Sequence, residues 1–238
     1  MITVHIKQNT APRLLAVYSF RYDAHLVPAL IGNIYPLGDG WVAYDDRAAD
    51  GLFTHEVHRR FALLAAAREA GAQWALAVDP DERFETPLAG HIGRLLDDPD
   101  VDVFTFALRE LYRPTHYRVD GVWGQKRQPR LLSLQRGIVA PAGNLHLPWS
   151  RFIPEPRLRD TPFNLYHLKM ISPARRRLRA ALYNHLDPEH RAQAIGYDYL
   201  ADDRGARLER IPRGRGYHPR HEDDGGLWMP RVEPSAAP

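Results

Sequence analysis

The chain runs to 238 residues, 44% of them hydrophobic and none of them cysteine, enough for one sizeable α/β domain or a domain with a short appendage. The missing thiols exclude disulfides, thiolate catalysis and cysteine-based zinc sites. The formal net charge is +3, and almost all the positive charge is arginine, with lysine only at Lys7, Lys126 and Lys169. No apolar run approaches the roughly 18 residues of a membrane span, and Met1 to Arg13 holds no apolar core of signal-peptide length, so a soluble, cytoplasmic protein is expected.

Strand and helix signals alternate over the first half. "RLLAVYS" (13–19) reads as a buried strand. Leu26, Leu30 and Ile34 then fall at helical spacing, with Pro28 suited to a helix start. "WVAYD" (41–45) is a second strand, followed by the turn residues Asp50-Gly51. "THEVHRRFALLAAAREAG" (54–71) predicts a helix with Val57, Phe61, Leu64 and Ala65 on one face, Thr54 as cap and Gly71 as terminator. "WALAVD" (74–79) is a third strand, Thr86-Pro87 opens a helix through Leu95 and Leu96, and "DVFTFAL" (102–108) is a fourth strand. This β-α-β-α-β-α-β order predicts an α/β fold with a mainly parallel sheet flanked by helices. Beyond it, "HYRVDGVWG" and "PRLLSL" read as antiparallel strands in a less regular half. Ser172-Pro173 opens a basic helix, and a further helix is expected over 188–200. The division is one α/β half (1–110), a second half with C-terminal helices in the same domain (111–225), and a disordered tail (226–238).

Two of the predicted strands end in acids: Asp45-Asp46, and Asp79-Pro80-Asp81-Glu82. In an open α/β sheet ligands bind beyond the carboxyl ends of the strands. Carboxylates there could hold a divalent cation, which takes hard oxygen ligands alongside substrate phosphates. The plain alternative is a turn, since Asp-Pro opens turns and Asp caps helices. The strand context and the second acid cluster favour the site. The C-terminal part is basic, at Arg175 to Arg179 and Arg204 to Arg220. Such runs suit an anionic partner or make a solvated face.

"GWVAYDDRAADG", a helix, and then "AREAGAQWALAVDPDERFE" resemble the family 2 glycosyltransferases, nucleotide-sugar-dependent enzymes of the GT-A fold. "QPRLLSL" is similar to that family's Arg-Leu-Phe element, "NLHLP" stands where many members have Val-His-Glu, and "LYHLKMISPARRRLRAALY" is similar to its His-Tyr segment and basic helix. The likeness spans roughly residues 13 to 185. It implies a GT-A-like, Rossmann-like domain whose first half binds a nucleotide sugar, a UDP-sugar, and whose second half binds the acceptor. It places Asp45 and Asp46 on the nucleotide and Asp79 on the sugar or ribose. Asp81 would ligate Mn²⁺ or Mg²⁺, His167 would be a further metal or diphosphate contact, and Arg130 would face phosphate or acceptor. The cation would offset charge on the departing nucleoside diphosphate.

An inverting transfer also needs a general base. Leu147 stands where the family often has Glu, so the base falls to Glu155, Glu110 or Asp120, and Glu155 is the choice. The opening strand reads "VYSFRYD", leaving Asp23 as a nucleotide contact or a helix cap. Tyr112, Tyr117 and Trp123 are either an acceptor platform or core packing. The acceptor is open, with nucleic acid, an anionic glycan or a lipid phosphate as the anionic options. A nucleotidyltransferase of similar fold is the other enzyme reading, although the Gly- and Lys-rich N-terminal loop it uses is not visible. A basic nucleic-acid-binding protein, or a transferase that glycosylates nucleic acid, is the remaining alternative. There is no Gly-x-Gly-x-x-Gly or Walker loop, and "HEVH" (55–58) lacks zincin spacing.

Overall fold

The computed structural model describes residues 1–8, 11–49, 56–142, 147–191 and 193–220. Its strands are β1 (Ile2–Ile6), β2 (Leu14–Phe20), β3 (Gly40–Asp45), β4 (Trp74–Ala77) and β5 (Glu82–Phe84) in the first part of the chain. Then come β6 (Val103–Arg113), β7 (His116–Arg118), β8 (Arg127–Ser133), β9 (Leu158–His167) and β10 (Leu208–Arg210). All ten join one sheet in the order β1-β3-β2-β4-β8-β6-β7-β10, with β9 beside β6 and β5 beside β9.

The four strands expected in the first half are present as β2, β3, β4 and β6. β2 pairs in parallel with β3 on one side and β4 on the other. The expectation of a mainly parallel sheet is nonetheless corrected. Among the described residues, three strand pairs are parallel and six are antiparallel. The cause is insertion. β8 returns from the second half and lies antiparallel between β4 and β6, burying Leu131 and Leu132 completely. β4 and β6 still point the same way, because each is antiparallel to the strand between them. The unforeseen β1 adds an antiparallel edge on β3; its five residues are all exposed and give no buried alternation to read.

β2 alternates between two apolar layers. Leu14, Ala16 and Tyr18 face the layer containing Leu30 and Ile34 of α1 (Val27–Ile34), while Leu15 and Val17 face Leu63, Leu64 and Ala67 of α2 (Glu56–Glu69). A strand buried on both faces needs an unbroken apolar run, which "LLAVY" supplies. α1 carries Pro28 in its first turn, as expected. On α2 the buried stripe centres on Leu63, Leu64 and Ala67, with Val57 and Phe61 beside it and Ala65 only half-buried. The expected cap Thr54, the turn Asp50-Gly51 and the tail 226–238 lie outside the described residues.

The helix expected from Thr86 breaks into a 3₁₀ segment, Thr86–Gly90, and the short α3 (Ile92–Leu96). Glycines at 90 and 93 are poor helix formers. The expected strand over 116–124 shortens to β7, with turns after it. The basic helix is α4 (Pro173–Leu186), and the Ser172 hydroxyl accepts from Arg175 N at 3.4 Å as its cap. The helix expected over 188–200 is absent from its described residues. Gly196 sits at φ +72°, a left-handed position that stops a helix, and only a 3₁₀ turn, Asp198–Leu200, remains. No helix of the described residues is long and apolar enough to cross a membrane.

Candidate active site

β4 ends against β2, where Val78 N donates to the Val17 carbonyl at 3.1 Å, and the chain then turns sharply. Asp79 N donates to the Glu82 carboxylate at 3.0 Å, and Glu82 N donates to the Asp79 carbonyl at 2.9 Å. This turn leaves the Asp79 side chain 38% exposed and folds Asp81 and Glu82 inward. Burying two carboxylates requires partners, and both come from the second half of the chain. Arg130 of β8 reaches Glu82 at 2.5 Å and Asp79 at 3.2 Å. His167, at the end of β9, puts Nε2 3.1 Å from Asp81. The backbone fixes this meeting, since Leu168 N donates to the Asp81 carbonyl at 2.8 Å and Glu82 pairs with His167 across β5 and β9.

The chain of charges continues behind His167. Glu110 pairs with it across β6 and β9, with its carboxylate 3.1 Å from Nδ1. That approach is out of line for a hydrogen bond and acts as a charge contact. Lys169 follows at 3.7 Å from Glu110. Burial by itself would pull the His167 imidazole down, but Glu110 and Asp81 override it and hold the imidazole at about 9. Burial would likewise raise Glu110, yet His167 and Lys169 bring it to about 2. Asp81 is held well below the carboxylate range by the same imidazolium, against its burial. Lys169 is lowered to about 8 by burial and by nearby Arg179, against Glu110. Asp23 is raised to about 7 by burial and by the charge of Asp81.

Asp79, Asp81, Arg130 and His167 therefore line one cleft of about 550 Å³ at the carboxyl ends of β2 and β4. Asp23 lines it too; its carboxylate accepts from Arg21 N at 3.0 Å and caps no helix. Other candidates are not brought there. Asp45 is half-buried outside the cleft lining and pairs with Arg47 at 2.6 Å, which holds its carboxyl low. Asp46 is buried against Arg59 at 2.6 Å. Glu155 is exposed on a loop away from the lining, and Asp120 is tied to Arg118 at 2.8 Å. Tyr112, Tyr117 and Trp123 are buried in packing clusters rather than forming a platform. His146 of "NLHLP" lies outside the described residues.

Sequence reasoning missed Lys126, Lys169 and Tyr183, which line the cleft, and marked Arg179, which also lines it, only as part of a basic run suited to an anionic partner. One signal was available: in a chain with three lysines among 32 basic residues, two of the three lysines stand here. The basic run of α4 is not a solvated face, because Arg175 and Arg176 are buried and Arg179 turns into the cleft.

The donor set sets limits on a metal. Both ring nitrogens of His167 face carboxylates, Nε2 toward Asp81 and Nδ1 toward Glu110, each at 3.1 Å. Among the described residues no three His, Asp or Glu side chains are grouped to hold an ion. Asp81 and Asp79 are hard oxygen donors on the cleft wall. A magnesium-type ion takes one or two such carboxylates and completes its shell with phosphate oxygens and water. These two residues could hold an ion that arrives with phosphates.

No protein-family model matches the sequence, and no curated protein matches it. Among solved structures that do match is a glycosyltransferase involved in the glycosylation of the major capsid of PBCV-1, with 14% sequence identity and a TM-score of 0.32. The match covers 51% of this chain and 60% of that one, so the chain spans less than two thirds of the length of that relative. The functional reading rests instead on the residues of the cleft.

Proposed function

We propose that the protein transfers a sugar from a nucleotide-sugar donor, a UDP-sugar, to an acceptor hydroxyl, with a divalent cation, Mn²⁺ or Mg²⁺. One observation carries this reading: the turn after β4 presents Asp79 and Asp81 to a cleft whose other wall is cationic, beyond the carboxyl ends of parallel strands. Asp81 would hold the ion together with the donor's phosphate oxygens, and the ion would supply the charge that offsets the departing diphosphate. His167 would not be a ligand. It fixes the Asp81 carboxylate by its 3.1 Å contact and is itself held by Glu110. Arg130 braces Asp79 and Glu82, which keeps the more exposed Asp79 turned toward the donor sugar.

The proton of the acceptor hydroxyl needs a carboxylate in the cleft. Glu155 is outside it; Asp23, Glu56 and Asp79 line it together with Asp81 and Glu82. The test is a thermal-shift series with UDP and UDP-sugars, with Mn²⁺ or with EDTA. A ligand that binds only the folded protein raises its apparent stability. The expected result is a shift with UDP that grows when Mn²⁺ is present, followed by sugar turnover with one of the donors. No shift with any nucleotide, with or without the ion, would overturn the reading.

A further inference from the structure

Three cations that line the cleft make no ion pair shorter than 3.7 Å among the described residues. Lys126 precedes β8, Lys169 follows β9, and Arg179 lies on the inward face of α4. Arg59, Arg60, Arg127 and Arg130 also line the cleft, and each has a carboxylate: Asp46 at 2.6 Å, Glu56 at 2.7 Å, Asp160 at 2.9 Å and Glu82 at 2.5 Å. Arg179 instead donates to the Tyr183 hydroxyl at 2.8 Å. The Lys126 ammonium stands over two rings, 5.9 Å from the centre of Trp123 and 5.8 Å from that of Tyr199. No carboxylate of the described residues lies within ion-pair distance of either. Lys169 has only Glu110, at 3.7 Å, and Glu110 is already shared with His167.

Gathering like charges into a partly enclosed space is unfavourable unless an anion fills it. The three sites feel one another: Arg179 and Lys126 both help burial to lower Lys169, against Glu110 and Asp81. An arginine fork beside two ammonium groups matches the oxygens of a phosphoryl group. We propose that Lys126, Lys169 and Arg179 form a subsite for a phosphate or diphosphate group. The subsite stands on the charges of the cleft, and only the source of the phosphate rests on the transferase reading. That source is either the donor's diphosphate or a phosphate carried by the second substrate.

The experiment is calorimetric titration of the full chain with inorganic pyrophosphate in EDTA at low salt. The variants are Lys126→Gln and Arg179→Gln, with Arg47→Gln, outside the cleft, as control, and each variant's melting curve establishes that it is folded. Pyrophosphate is expected to bind without any metal, to bind about tenfold or more weakly to each of the two cleft variants, and to bind the control as the parent. Absent binding to the folded parent, or equal binding to all variants, would overturn the subsite. Repeating the titration with UDP at a concentration shown to saturate the protein in the same buffer assigns the source. Exclusion of pyrophosphate by UDP supports the subsite as the donor's, and simultaneous binding supports it as the second substrate's. Pyrophosphate binding without a thermal shift by any nucleotide, with or without the ion, would leave the subsite standing while removing the transferase reading.

Discussion

Two acid clusters flank β2 at the same end of the sheet, Asp45-Asp46 after β3 and Asp79 to Glu82 after β4. After β3, each acid is matched nearby in the chain. Arg47 takes Asp45 from two residues away, and Arg59 on the following helix takes Asp46. After β4, the partners come from far along the chain: Arg130 for Asp79 and Glu82, His167 for Asp81. A local ion pair neutralises an acid without building anything around it. Distant partners must be carried in on their own strands, here β8 and β9, and residues of those strands line the cleft beside the acids. The comparison teaches that the origin of an acid's partner, more than the acid itself, separates a closed strand end from a binding site.

The largest effect should come from Asp81→Asn. The variant keeps the shape of the side chain and removes the charge that would face the ion. Its affinity for UDP in Mn²⁺ should fall about 100-fold or more, since even supporting groups around a metal are worth about 10–100-fold. EDTA should reduce the affinity of the parent protein to the same level and leave the variant unchanged. Calorimetry with and without EDTA on both proteins decides it. Equal affinity of the parent in both buffers would remove the ion from the reading.

Asp46→Asn should act on stability instead. It breaks a mostly buried pair, with Arg59 at 14% and Asp46 at 2% side-chain exposure. Breaking such a pair from one side costs roughly 2–3 kcal/mol after allowing for the residual exposure of Arg59. Urea unfolding should show that loss, while UDP affinity should change far less than in Asp81→Asn, Arg59 being the one member of the pair that lines the cleft. A loss of UDP binding at unchanged stability would erase the contrast between the two clusters and return Asp46 to the nucleotide role that the sequence implied.

Glu110→Gln should have a smaller effect, and one confined to the β4 cluster. Glu110 stays out of the cleft lining and acts through His167, which positions Asp81. The ratio of UDP affinity in Mn²⁺ to that in EDTA should fall about tenfold. A merely structural Glu110 would lower the melting temperature and leave the ratio of the two affinities where it was.

Much of the β4 side of this contrast is legible in the residues themselves. "WALAVDPDE" joins an unbroken apolar strand to a turn of acids, and "QPRLLS" and "LYHLK" carry the arginine and histidine that meet them. The parts that were not legible depend on long-range placement. The insertion of β8 between β4 and β6 follows from pairing Leu131 and Leu132 with strands many residues earlier. Residues 175–179, "RRRLR", look uniformly basic in one dimension. On α4 the helical period turns Arg175, Arg176 and Arg179 inward and leaves Arg177 exposed. Glu155 stands out only by its place in the chain, and chain order gives no measure of its distance from the cleft.

The smallest effect should be that of Asp45→Asn. Asp45 is only partly covered, its partner Arg47 is 59% exposed, and water screens such a pair. One Asp45 carboxylate oxygen also accepts from Arg47 N at 3.1 Å, a turn bond that the amide oxygen of asparagine can keep. The fold should therefore lose nothing that a melting curve resolves. UDP affinity should match the parent in both Mn²⁺ and EDTA, because Asp45 lies outside the cleft lining. Weaker UDP binding with an unchanged melting curve would mean that the nucleotide reaches past the cleft to the end of β3. The acids after β3 would then be part of the donor site after all, and local neutralisation by Arg47 would be a state the ligand displaces.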